Sequence, residues 1–517
     1  MKNVFLMAGL VLVMSACKQT QNEDAVENAA TTEKFVRKNA HSEEAKADLE
    51  AMEKAFGKMR SMGCTEPISW YYQGAIHNVP LLSDDPEDDQ PKTPNSLCES
   101  FQFNASQLKT AWANCTHGDG DENFEKSVTL NFLLWHRLYI WHLEKVVREL
   151  SGKKDFALPY WAYTNKTDSL LNRTLPASFR NTASPLFEKA RYQDLNDGKS
   201  ISSEFSKKLD LTSLFEHVDY ESFSGNIDAV PHGFMHNYTG GAQKGQKKSI
   251  YFNSIYNSNL EAGLMAYVES AGFDPIFWLH HANIDRIWQQ WTNSDNGKEV
   301  CLDSLLKYAW PNYTFFDAKG KQVTYSIEEV HKIIYQGMDY TYDDTEVKGS
   351  SQITECKPSL KAQSQPIKEV SSIKTSLKVS QNKAEHVLEN SVFNSPTLLK
   401  AASNSSNRYY LTFEVEIPEK GFLNGTYEVY LNLPKNAKPS PSDPYFCGFM
   451  NFFGSNHKHH HHAGQEAHKG PRYKKFRFDV TDEIRDTDAF NKKDFKLTFT
   501  DLGDDELIIR NVQIVRL

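Results

Sequence analysis

The residues best suited to chemistry are histidines set into apolar helical sequence. His232 and His236, in Pro231-His232-Gly233-Phe234-Met235-His236, are four apart. On a helix that spacing stacks them on one face, where the two rings can grip one ion together. The third imidazole has to come from another helix, and Asp274 to Arg286 offers the adjacent pair His280 and His281. Helical neighbours lie about 100° apart around the axis, so only one of that pair can point at a given ion. Upstream, Phe132 to Glu144 carries His136 and His142, preceded by His117 in Cys115-Thr116-His117-Gly118 and His77 in Ala75-Ile76-His77-Asn78. Three histidines per half make a paired-metal centre. Neutral imidazole suits copper in both oxidation states, and an all-imidazole set leaves each ion an open position facing its neighbour. A lone histidine on an apolar face is ordinarily a satisfied core residue, and His142, six residues past His136 and off its face, reads that way.

Such rings need rigid helices. From Ser127 onward apolar residues recur at helical spacing (Phe132, Trp135, Tyr139, Leu143, Val146, Leu150) until Ser151-Gly152, a C-cap. Asp274-Pro275 gives the downstream helix an N-cap and a first-turn proline, and its inward face runs through Phe277, His281, Ile284 and Trp288.

At these residues the chain resembles the type 3 copper proteins: tyrosinases, catechol oxidases (polyphenol oxidases) and molluscan haemocyanins. Their downstream pattern is Asp-Pro-x-Phe, then a helix with a His-His pair and an Asp four residues past the second His; Asp274 to Asp285 meets it. The upstream pattern, Phe-x-x-Trp-His-Arg with a Glu seven residues after the Arg, is met from Phe132 to Glu144. The resemblance implies a mainly α catalytic domain, a four-helix bundle around two copper ions. It places His77, His117 and His136 on the first copper and His232, His236 and His281 on the second, with His280 behind the ligands. One position departs from the pattern: relatives carry the second ligand nine residues before the Trp-His-Arg histidine, where this chain has Ser127. His117 is the replacement, across an acidic insertion from Asp119 to Lys126. Cys115, two residues before it, has the spacing of the thioether that haemocyanins and fungal tyrosinases form to this histidine.

The implied activity is oxidation of o-diphenols to o-quinones, with a small phenol and O2 as partners. Asp228, four residues before His232, stands where plant relatives carry a Glu that orders a water near the second copper. Phenol-hydroxylating members place an Asn directly after the first ligand of this half; here that residue is Gly233, which points to diphenol oxidation with weak action on monophenols. Val268, thirteen residues before His281, falls at the substrate-gate position, and Phe277 and Phe132 should pack against imidazoles. Asp285 is expected to anchor Arg286 or a ligand ring, and Arg137 and Glu144 to join helices. Rival readings are a full tyrosinase, an o-aminophenol oxidase, a haemocyanin-like O2 binder, and a copper-storage protein built on the tract His457 to His462.

The 517 residues have room for two or three domains. A net charge of −9 and a pI near 6.1 give no footing for nucleic acid. Residues 1–17 read as a lipoprotein signal peptide: Lys2, an apolar run from Val4 to Val13, then Met14-Ser15-Ala16-Cys17 with Cys17 acylated. The expectation is an exported protein at the outer membrane, periplasm or cell surface, touching a membrane only through that anchor; cleavage near Ala16 and secretion is the alternative. Residues 18–46 read as a polar tether, 47–349 as the dicopper domain, 350–405 as a Ser/Lys/Gln-rich linker and 406–517 as a β-sandwich. The last rests on alternation in Tyr410 to Ile417, Thr426 to Leu431, Phe495 to Phe499 and Leu507 to Val515. Plant relatives and haemocyanin units carry a C-terminal β-rich domain over the copper site, which implies a latent full-length protein. Tyr340-Thr341-Tyr342 resembles the Tyr-x-Tyr motif that closes their catalytic domain. Seven cysteines fit an oxidising compartment, with Cys64–Cys98 and Cys301–Cys356 the expected pairings and free buried thiols the alternative.

Overall fold

The computed structural model describes residues 34–77, 125–164, 170–255, 258–347, 368–373, 376–389, 408–418, 423, 425–455, 471–486 and 494–516. α1 (Lys46–Ser61) buries Ala51, Met52, Ala55, Phe56 and Met59, the stripe that a 3.6-residue period lays along one face. α2 (Trp70–His77) is short and α3 (Glu125–Ser151) long; α4 (Tyr220–Ile227), α5 (Phe234–Thr239) and α6 (Ile276–Thr292) follow. α3 is central, packed against α1, α4 and α6. Every residue of α6 from Ile276 to Gln289 is buried. A helix covered all round has no solvent for its polar side chains, so they must be paired internally.

They are paired through one network. β1 (Phe35–Arg37) runs parallel to β2 (Tyr340–Tyr342), with Arg37 opposite Tyr342. The buried Arg37 donates to Glu144 of α3 at 2.8 Å, to Asp285 of α6 at 3.2 Å and to the Tyr342 hydroxyl at 3.1 Å. Asp285 also accepts from Arg137 of α3 and from the hydroxyls of Tyr340 at 2.6 Å and Tyr342 at 2.5 Å. Burial pushes the Asp285 carboxyl up, but Arg137 and Arg37 outweigh it and its pKa is lowered. Arg137 and Glu144 therefore join helices as expected. Asp285, expected to anchor Arg286 or a ligand ring, is instead shared by Arg37, Arg137, Tyr340 and Tyr342, and Arg286 turns to Asp344.

Among the described residues nine strands build the second part: β3 (Lys368–Ile373), β4 (Leu377–Val379), β5 (Glu385–Glu389), β6 (Tyr409–Ile417), β7 (Thr426–Leu431), β8 (Phe446–Asn451), β9 (Arg472–Asp479), β10 (Asp494–Thr500) and β11 (Leu507–Arg516). One sheet runs β9, β6, β11, β3, with β4 also on β11; the other runs β8, β7, β10, β5. Pairing is antiparallel, with Phe413 opposite Phe476 and Val429 opposite Phe499. Inward residues of both sheets, among them Leu411, Phe413, Val429, Leu497 and Ile514, fuse into one apolar core, a β-sandwich. Period-two alternation lets β7 face two ways. Val429 and Leu431 enter the sandwich core, while Tyr430 joins the core of the helical part with Phe446 and Phe449 of β8. A mainly α domain plus a C-terminal β-sandwich is thus the observed fold.

Two boundaries move. Within the segment expected as a tether over 18–46, Phe35–Arg37 is a strand and Arg37 and Ala45 are buried, while residues 18–33 lie outside the described residues. The linker expected over 350–405 contributes β3, β4 and β5. β3 and β5 are edge strands, paired on one side only, and edges are kept short and polar, so their composition passes for linker. Cys64 and Cys301 are disulfide-bonded, with Cys98 and Cys356 lying outside the described residues, and Cys447 is a buried free thiol. Among the described residues no helix is long and apolar enough to cross a membrane.

Candidate metal centre

Four elements bring their histidines to one place: His77 ends α2, His136 lies within α3, His236 in α5, and His280 and His281 in α6. His232 sits just before α5, in a wide turn from Asp228 to Gly233 where Val230 leaves helical backbone (φ −146°, ψ 123°). The four-residue spacing survives that irregularity, and the rings of His232 and His236 meet at 4.5 Å between centroids. His77 lies 5.6 Å from His136, and His136 stacks on His281 at 4.3 Å with planes within 5°. Among the described residues, ligand atoms within 4.8 Å of one another form two groups: His77, His136 and His281, and His232, His236, His280 and His281.

Which nitrogen each ring offers follows from its partner. A carbonyl oxygen can only accept, so the ring nitrogen bonded to it carries the proton and the other keeps a lone pair. Nδ1 donates to Val268 O in His77, to Phe132 O in His136 and to Met265 O in His236, each at 2.8 Å. In His232, Nδ1 lies 3.2 Å from Asp228 O and 2.8 Å from the Asp228 carboxylate. Nε2 is what all four leave for a metal. Burial, then repulsion among the histidines, pushes His136, His236 and His281 well below the usual imidazole range, which keeps them neutral donors. Among the described residues, Nε2 of His236 and both nitrogens of His281 find no hydrogen-bond partner. A buried unpaired nitrogen costs about 1–3 kcal/mol. Preoriented neutral imidazoles grouped without a carboxylate make a poor core and fit copper well.

Phe277 packs 4.8 Å from His77 and 4.3 Å from His281, and Phe132 lies 4.7 Å from His232, so both aromatics wall the cage as expected. His142 has both nitrogens engaged, by Phe316 O and the Tyr325 hydroxyl at 3.1 Å each, and is structural. His117 and Cys115 lie outside the described residues. Val268 is buried, and its carbonyl holds His77, a backbone task that no side-chain pattern announces. The Asp228 side chain, 25% exposed, turns to its own His232.

Gly233 has a role that sequence reasoning missed. A Cβ there would lie 2.6 Å from Asn451 Oδ1 and 3.1 Å from Phe453 Cβ, so its bareness is what lets the β-sandwich approach. Phe453 stacks on His236 at 4.1 Å with planes 18° apart and meets His232 edge-on at 5.6 Å. Asn451 Oδ1 accepts from the Phe453 amide at 2.8 Å, while its Nδ2 donates to Thr426 at 2.8 Å, whose hydroxyl donates to Gln243 of the helical part at 3.2 Å. Lys208 reaches Glu428 at 3.2 Å and Lys244 reaches Asp505 at 2.5 Å across the same contact. Nothing in the sequence marks Phe453 among 31 phenylalanines. His280 was also missed, since its ring joins the second group rather than lying behind it.

The family model of the common central domain of tyrosinase matches residues 67–208 and 172–294. A tyrosinase of Hahella sp. (strain CCB-MM4) is 28% identical over 304 residues, covering 56% of this chain and 59% of the relative. Catechol oxidase B of Solanum tuberosum is 24% identical over 267 residues, covering 46% and 42%. The chain thus spans between about two fifths and three fifths of the length of these relatives. The solved latent aurone synthase, a polyphenol oxidase, aligns over 94% of this chain and 90% of its own with a TM-score of 0.61 and 17% identity, a likeness of fold. The family match spans the segments that carry His77, His136, His232, His236 and His281, so residues 67–294 carry the common central domain of tyrosinase, a family of type 3 copper proteins whose members hold two copper ions.

Proposed function

We propose that the protein oxidises o-diphenols to o-quinones with O2, acts weakly on monophenols and is latent as the full-length chain. His77, His117 and His136 would hold one copper, and His232, His236 and His281 the other. The observation that carries this reading is the pair of buried imidazole groups without a carboxylate. Bound copper would supply the binding and reduction of O2; two diphenols provide four electrons and four protons, and both oxygens leave as water.

The chain's own residues do the rest. Carbonyls of Val268, Phe132 and Met265 fix the azimuth of three rings, and Phe132 and Phe277 keep water from them. The Asp228 carboxylate lies 2.8 Å from His232 Nδ1, turned to that ring rather than to an incoming phenol. Gly233 offers no amide beside it, which supports the same preference. Latency is supported by Phe453, whose ring stacks on His236 where a substrate ring would have to lie. Export through residues 1–17 and anchoring at Cys17 complete the proposal.

Oxygen uptake with catechol, tyrosol and 2-aminophenol tests it, before and after cutting at a protease site inserted between Val347 and Lys368. Catechol should be oxidised fastest, and faster after the cut, with tyrosol slow throughout. Fast tyrosol turnover would make the protein a full tyrosinase. Preference for 2-aminophenol would make it an aminophenol oxidase, and reversible O2 binding without turnover a carrier.

A further inference from the structure

We propose that Asp228 is a positioning residue for the second copper: its carboxylate, set against His232, gives that site the firmer hold on copper(II). The proposal rests on the dicopper reading and says how its two sites differ. His232 Nδ1 lies 2.8 Å from the Asp228 carboxylate and 3.2 Å from the Asp228 carbonyl. A carbonyl and an ionised carboxylate can only accept, so Nδ1 carries the proton and Nε2 is the atom offered to the ion. The ligand atom of His232 is within 4.8 Å of those of His236 and His281.

His77, His136 and His236 are oriented by neutral carbonyls at 2.8 Å each. At His232 the neutral carbonyl is the farther acceptor and a negative charge the nearer one. Residues four apart on a helical turn lie over one another, which is how Asp228 and His232 come to face each other from the same short segment. A carboxylate bonded to a ligating imidazole fixes the ring and makes it a stronger donor. Its charge also attracts the ion, and by Coulomb's law a doubly charged ion gains twice what a singly charged one does. Asp228 therefore favours copper(II) over copper(I) at the second site, whereas His77 and His136 at the first are held by uncharged oxygens. The side chain is 25% exposed, so salt screens part of the charge and leaves the hydrogen bond in place.

The test is copper retained per chain, by metal analysis, as the copper-loaded full-length protein is dialysed against rising chelator. One series uses oxidised protein and a copper(II) chelator, the other reduced protein without air and a copper(I) chelator. Asp228→Asn keeps the side chain's shape and an accepting oxygen and removes its charge. In the oxidised series it should release one of the two coppers at about tenfold lower chelator than the parent, the scale on which contacts behind a ligand act, with the other copper leaving at the parent's concentration. In the reduced series the shift should be about threefold, since half the Coulomb energy gives the square root of the ratio. Should Asp228→Asn fail to fold, Asp228→Ser repeats the comparison. Equal shifts in the two series would reduce Asp228 to shaping the turn and overturn the proposal, as would curves that superimpose on the parent's in both. A parent that never takes up two coppers would instead sink the dicopper reading itself.

Discussion

The helical part and the β-sandwich bury different things. Inside the helices lie Arg37, Arg137, Glu144 and Asp285, and a second pair in which Arg191 donates to Asp274 at 2.8 Å. The sandwich core is apolar, built from residues such as Leu411, Phe413, Leu497 and Ile509. Apolar contacts are indifferent to direction, which suffices to hold two sheets together. A cage of imidazoles needs each helix at one rotation and one height, and buried ions that demand every partner impose that. Among the described residues of the sandwich, Phe453 reaches the cage, stacking on His236 and meeting His232 edge-on.

The sharpest way to break the comparison is Asp285→Ala. It leaves Arg37 and Arg137 buried without their shared carboxylate, a change of the kind that costs about 3–5 kcal/mol. Urea unfolding should show that loss and copper uptake should fall with it; a loss under about 1 kcal/mol would mean the charges are incidental to the frame. Next in size is Phe453→Ala. An aromatic contact contributes about 0.5–1.5 kcal/mol beyond its area, so catechol turnover of the full-length protein should rise by up to about tenfold with copper content unchanged. Turnover that stays flat or falls would show that the sandwich is no lid.

The smallest effect concerns His142, whose pKa is lowered to about 3, by burial first and the Lys145 charge second. Unfolded, the ring titrates near ~6.5. Between those values the unfolded chain binds the extra proton, so this ring makes stability fall as pH drops below ~6.5 and changes nothing above it. His142→Asn should therefore lose roughly 1 kcal/mol less than the parent between pH ~6.5 and ~5.5. Identical acid slopes for the two proteins would show that the folded ring accepts the proton.

Much of the frame was legible along the chain. Apolar residues at helical spacing marked α3, alternation marked β6, β7, β10 and β11, and local motifs marked His77, His136, His232, His236 and His281. What stayed hidden depended on partners remote in sequence. β3 and β5 look like linker because an edge strand needs few apolar residues, and Asp285 looked tied to its neighbour because Arg37 is 248 positions away.

The sequence by itself determined the kinds of ligand and the helices that carry them, because four-residue spacing and apolar periodicity are local properties of a chain. Only the tertiary structure decided which carbonyls hold the rings of His77, His136 and His236, that Gly233 is a seat for the sandwich, that Phe453 covers His236, and that His280 turns into the cage. Each of those is a contact between elements, fixed by how helices and sheets pack and so written in no single stretch of residues.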